Sequence, residues 1–140
     1  VRHKFEVGCT KKMQDHPSPL FERFVVLSLA QAFLRKGFDV QADHRMPDRG
    51  VVDLLVQKPQ GRTRFIVEVK VVNTVSRVRQ SANAAHQQLS RYTSANIKGL
   101  VAIGISGTET VFADPELISL IGGSSSDMDL HPLLPAERDA

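Results

Sequence analysis

The sequence predicts a mixed α/β fold: a central sheet flanked by helices, with elements in the order helix, three strands, helix, strand. Three observations carry this expectation. The stretch from Ser18 to Lys36 has a helical start signal, an apolar face and a glycine stop. Val51–Val56 and Phe65–Val72 are apolar, β-branched runs of strand length, separated by a turn rich in Pro and Gly. A second helical stripe then precedes another apolar run, Gly99–Ile105.

Length and composition set the bounds. At 140 residues the chain suits one domain with a real core. It divides into an N-terminal arm over 1–17, a domain over 18–121 and a flexible tail over 122–140. Net charge is +3 with a pI near 9.3, a mild lean toward polyanionic partners. The single Cys9 excludes an internal disulfide and fits a reducing, cytoplasmic location. The histidines and the cysteine make no zinc-type spacing. No apolar run reaches membrane length and no signal-peptide pattern is present, so no membrane partner is expected. The chain opens at Val1 rather than Met, leaving room for additional domains or partner proteins.

Along the chain, Val1–His16 is polar and reads as a short strand or loop arm. Ser18 and Pro19 suit the N-cap and first position of a helix, and Gly37 suits its end. Glu22 lies in line with Val26, Leu29 and Phe33. It serves either as a first-turn acid favoured by the helix dipole or as a group aimed at a site beyond the helix. Phe38–Arg45 reads as a strand and Met46–Gly50 as a turn, in which Asp48 is a turn residue. The second helix is expected over Arg77–Ala95, with Val78, Ala82, Ala85, Leu89 and Tyr92 as its core stripe. Thr110–Phe112 suggests a short strand and Pro115–Ile121 a short helix. Gly122–Ser126 has linker composition, and the tail beyond it reads as poorly ordered or docked elsewhere.

Two of the strands carry charges that a buried strand tolerates poorly. Alternation puts Glu68 and Lys70 on one face of Phe65–Val72. A hairpin with Gln60-Gly61 at its tip sets Pro59 against Arg62, and counting outward sets Asp53 directly opposite Glu68. Two opposed carboxylates repel unless a cation joins them. A hard divalent ion such as Mg²⁺ takes one or two carboxylates together with water and phosphate oxygens.

Asp53, a hairpin, then Glu68-x-Lys70 resembles the active-site pattern of the PD-(D/E)XK nuclease superfamily. The predicted order matches the αβββαβ core of its restriction-endonuclease-like fold, over about Ser18 to Ser106. Gln88-Leu89-Ser90-Arg91-Tyr92 looks like the QhxxY motif of the RecB-like branch. The resemblance implies that Asp53, Glu68 and the backbone carbonyl of Val69 bind Mg²⁺ or Mn²⁺, with Glu22 as a further ligand. Lys70 would orient or deprotonate the attacking water, and Gln88 and Tyr92 would position substrate or metal-bound water. Tyr92 as a core residue beside a solvated Gln88 is the competing reading.

The implied activity is metal-dependent cleavage of DNA, duplex or branched, in repair, recombination or host defence. Arg45, Arg49, Arg77 and Arg79, with Arg62 and Arg64, flank the candidate site as phosphate contacts. A homodimer would suit concerted cutting of two strands. A ribonuclease and a non-catalytic DNA-binding or assembly module are the alternatives on the same scaffold.

Overall fold

The structure, a computed structural model, describes residues 19–122 and 128–134. Helix α1 spans Pro19–Arg35, and strands β1, β2 and β3 span Asp39–Arg45, Val51–Gln57 and Arg64–Val72. A 3-10 turn at Val75–Arg77 leads into α2, Val78–Ser90. Strand β4 (Ile97–Ile105), β5 (Thr110–Ala113), helix α3 (Pro115–Leu120) and β6 (Asp129–Pro132) complete the described chain. The N-terminal arm, the Ser18 cap, most of the Ser-rich stretch after Gly122 and the end of the tail lie outside the described residues.

Helix α1 ends where Gly37 takes a φ of 88°. The Phe38 and Gly37 N–H groups then donate to Phe33 and Leu34 carbonyls at 3.1 and 2.9 Å, closing the last turn. The turn before β3 forms as the Pro and Gly signals require, with Gly61 N–H donating to Lys58 O at 2.9 Å.

All six strands form one mixed sheet in the order β1-β2-β3-β4-β5-β6. β1, β2 and β3 pair as an antiparallel meander. β4 lies parallel to β3 over nine residues, from Arg64↔Ile97 to Val72↔Ile105, and α2 makes the crossover. The sheet divides the core. Val25, Val26, Leu29 and Phe33 of α1 pack with Leu54, Val56, Val67 and Val69 on one side. Val78, Ala82, Ala85 and Leu89 of α2 pack with Ile66, Val72, Val101 and Ile103 on the other.

Two boundaries differ from expectation. Helix α2 stops at Ser90, not Ala95, because local polar groups take over. Ser90 Oγ donates to Gln87 O at 2.7 Å and Thr93 Oγ1 to Ser90 O at 2.9 Å, bonds that compete with helix continuation. Residues 129–132, assigned above to the tail, form the edge strand β6, parallel to β5.

Candidate active site

The β2–β3 ladder runs from Gln57↔Arg64 to Leu54↔Val67 and ends there; its register, continued by one position, would set Asp53 against Glu68, the pairing that the hairpin count gave. Past the end of that ladder a side-chain bond joins the two strands. Asp53 Oδ2 accepts the Val69 N–H at 2.7 Å. A strand residue's N–H and C=O point toward the same edge, so the Val69 carbonyl also faces β2. The β1–β2 register continues this row. Its pairs Ala42↔Leu54 and His44↔Val52 bracket Asp43, which adopts a left-handed φ of 52°. The bracketing pairs set Asp43 beside Asp53, and the bond from the Val69 N–H ties Asp53 to β3 next to Glu68. Leu54 packs on the α1 side of the sheet whereas Val52 packs on the α2 side, so the apolar alternation of β2 changes sides at Asp53.

The charges here are costly. Glu68 is 6% exposed and pairs with Lys70 Nζ at 3.2 Å. Burial, then the charge of Asp53, pushes the Glu68 carboxyl above its ordinary range, and Lys70 offsets only part of this. Burial also raises Asp53, against the opposing pull of the Val69 N–H and Lys70. Glu22, in the first turn of α1, is raised by burial and then by Asp53. The structure thus places Glu22, Asp53, Glu68 and Lys70 within one electrostatic cluster. Among the described residues, however, no three His, Cys, Asp or Glu side chains converge as a ready-made metal cage. Two carboxylates and a carbonyl, completed by water and phosphate oxygens, suit a hard cation that keeps part of its hydration shell.

Sequence reading missed an arginine beside this row. Arg23 Nη1 and Nη2 donate to Asp43 Oδ1 and Oδ2 at 3.0 and 2.8 Å, a two-pronged clasp between α1 and β1. Counting the β1–β2 register outward finds Asp43 opposite Asp53, but the left-handed backbone that shapes the contact leaves no sequence signal.

Gln88 and Tyr92 are placed differently. Gln88 is exposed on α2, and Tyr92 lies beyond the helix end. The two do not share a helical face as the expected longer helix required. Tyr92 packs against the α2-side core, and its hydroxyl donates to Asp48 Oδ1 and Oδ2 at 3.0 and 3.2 Å. Asp48 holds its own turn by accepting Gly50 N–H at 2.9 Å. That N–H, then the Tyr92 hydroxyl and the Arg91 charge, keeps the Asp48 carboxyl below its ordinary range.

The arginines separate into two groups. Arg45 and Arg49 border the β1–β2 turn, and Arg77 and Arg79 follow the end of β3; all are exposed. The register puts both groups toward the Lys70 end of the strands. Arg62 and Arg64 instead sit at the hairpin end, where Arg64 pairs with Gln57, about 13 Å along β3 from Glu68. Flanking the site was the wrong expectation for these two, because the hairpin points away from the carboxylates.

A cavity of about 860 Å³ lies elsewhere, between α2, β5 and the β6 region. His86, whose Nε2 lies 2.8 Å from Asp114 Oδ2, is part of its wall, and the same oxygen accepts Val101 N–H at 2.8 Å.

A family model described as the PD-(D/E)XK nuclease superfamily matches residues 20–104. That span runs from the first turn of α1 to the penultimate residue of β4 and contains every residue of the carboxylate cluster. No curated protein matches the chain.

Proposed function

The chain belongs to the PD-(D/E)XK nuclease superfamily, and from that premise we propose that it is a Mg²⁺- or Mn²⁺-dependent nuclease that hydrolyses phosphodiester bonds in DNA. The observation that supports this reading is the electrostatic cluster of Asp53 and Glu68, with Asp53 held by the Val69 N–H at 2.7 Å, Lys70 at 3.2 Å from Glu68, and the charge of both acids disfavoured by burial.

Asp53, Glu68 and the Val69 carbonyl would hold the metal, and Glu22 would add a carboxylate through water or directly. The bound ion supplies Lewis acidity toward the scissile phosphate and lowers the pKa of a nearby water. The protein's own groups do the rest. The Val69 N–H fixes the Asp53 carboxylate, so that its other oxygen keeps a constant aim. With the acids neutralised by a metal, Lys70 would exchange Glu68 for water or phosphate and would orient the nucleophile and offset developing charge. Arg45, Arg49, Arg77 and Arg79 surround the end of the sheet where a polyanionic backbone would lie.

The same reading extends to finer points. Gln88-Leu89-Ser90-Arg91-Tyr92 supports the RecB-like branch by its order after Glu68-x-Lys70. The Tyr92–Asp48 bond favours a structural role for Tyr92, that of holding the β1–β2 turn beside β2. No helix among the described residues is long and apolar enough to cross a membrane; a cytoplasmic setting is proposed on the single cysteine alone.

The test is incubation with plasmid, linear and single-stranded DNA and with RNA, in Mg²⁺, Mn²⁺ or EDTA. Metal-dependent cutting of DNA that EDTA stops is the expected result. Cutting of RNA alone would reassign the substrate. Binding without cutting in any metal would favour the non-catalytic module.

A further inference from the structure

Helix α1 is apolar on two opposite faces. Val25, Val26, Leu29, Ala32 and Phe33 are buried against the sheet. The other face carries Leu20, Phe24, Leu27 and Leu34, which are 82, 50, 51 and 55% exposed. Single exposed apolar residues are ordinary, but four on one stripe are not. The outward face of α2 carries Gln80, Asn83 and Gln87 instead. A helix greasy on both sides is one that something covers.

The spacing says what kind of thing. Leu20, Phe24, Leu27, Gln31 and Leu34 recur at steps of four, three, four and three, the seam by which one helix packs against another of the same pattern. Among the described helices only α1 presents such a seam to solvent. A second α1 carries the same seam, and a twofold axis brings the same patch of both copies together. Charge selects the direction. A parallel pair would set the two Arg35 side chains and the two negative dipole ends side by side, whereas an antiparallel pair separates them. Arg23, near the other end, is paired with Asp43 of its own chain.

We infer that α1 is a self-association helix, whose outer seam packs antiparallel against α1 of a second copy of this chain, centred near Leu27. With a 17-residue helix, about 25 Å long, the contact is of the small class, and the dimer should form in the micromolar range.

Sedimentation velocity on the full chain, from about 1 to 200 μM, tests this directly. Wild type should pass from monomer to dimer. Leu27→Glu, at a half-exposed position that leaves the sheet-side core alone, should weaken dimerisation at least about tenfold with an unchanged circular dichroism spectrum and melting point. Phe24→Lys should do the same, and Val75→Glu, at an exposed apolar residue off the seam, should change nothing. In a Cys9→Ser background, Leu27→Cys should cross-link readily across the axis. Leu34→Cys should not, because antiparallel helices centred at Leu27 hold the two copies of that position about 20 Å apart. A wild type that stays monomeric throughout, a Leu27→Glu protein that dimerises like wild type, or ready cross-linking through Leu34→Cys overturns the proposal. None of these results depends on whether the protein cuts nucleic acid.

Discussion

Asp53 accepts the Val69 backbone N–H at 2.7 Å at the level where the β2–β3 ladder gives way to carboxylates. One side chain thereby serves the fold and the site at once. It satisfies a backbone donor from a strand residue that is fully buried, and it lies beside Glu68, with which it repels.

Two substitutions at this position separate those roles. Asp53→Asn retains an oxygen for the Val69 N–H and removes a charge that burial already disfavours, so the metal-free protein should melt higher than wild type. Asp53→Ala leaves that N–H without its acceptor and should cost about 1–3 kcal/mol. Both should lose the stabilisation that millimolar Mg²⁺ or Mn²⁺ gives wild type, since that gain requires an ion bound only to the folded state. Melting scans with and without metal decide. An Asp53→Asn protein that melts below wild type, with neither responding to metal, refutes the reading of this cluster.

Acid should favour the metal-free fold through these groups. Asp53, Glu68 and Glu22 all have folded pKa values above their ordinary ones, so across that window the folded state holds more protons than the unfolded state. Their contribution is favourable below the unfolded pKa and is lost as pH rises through the folded one. The melting advantage of Glu68→Gln over wild type should accordingly grow as pH rises from about 4 and level off once pH has passed the raised folded value. A difference that is flat with pH would mean that Glu68 titrates ordinarily.

Lys70→Ala should abolish cleavage while nucleic-acid binding persists, because phosphate contacts elsewhere dominate affinity. The 3.2 Å pair with buried Glu68 adds a stability effect that sequence alone did not suggest. The metal-free variant should be destabilised by about 1 kcal/mol, and saturating metal should restore most of it. Cutting at the wild-type rate would make Lys70 purely structural.

Arg23→Gln should weaken DNA binding in EDTA and lower the slope of log affinity against log salt by about one phosphate contact. The clasp on Asp43 uses two of five guanidinium donors, leaving three for a backbone phosphate beside Asp53. An unchanged slope would confine Arg23 to joining α1 and β1.

Tyr92→Phe should leave cleavage nearly intact, since its hydroxyl serves the exposed Asp48 turn. Gly50→Ala should destabilise, because a Cβ there would collide with the Tyr92 hydroxyl, and the pair of substitutions together should recover part of the loss. Melting points of the two single variants and the double variant measure the coupling.

What sequence could reveal follows from the range of each interaction. The hairpin register that brings Asp53 near Glu68 was countable because a Pro–Gly turn sets it and side chains alternate with period two. Helix α1 was legible from its stop signal at Gly37. The early end of α2 was not, since Ser90 and Thr93 act through side-chain bonds rather than through a Gly or Pro. Arg23–Asp43, Tyr92–Asp48 and His86–Asp114 join residues 20, 44 and 28 positions apart, distances that no local pattern encodes. The edge strand β6 has four residues and draws its definition from β5.

The sheet also implies a sequence of events in folding. The β2–β3 pairing closes a short loop, from Gln57 to Arg64, whereas the first β3–β4 pair joins Arg64 to Ile97 across the whole of α2. Loop-closure entropy makes the hairpin the earlier contact and the parallel pairing the later one. The two acids are therefore brought close together while β3 still lacks its other neighbour, before any core shields them. Their repulsion then acts against the transition state, and relieving it at Asp53 should quicken folding more than it slows unfolding.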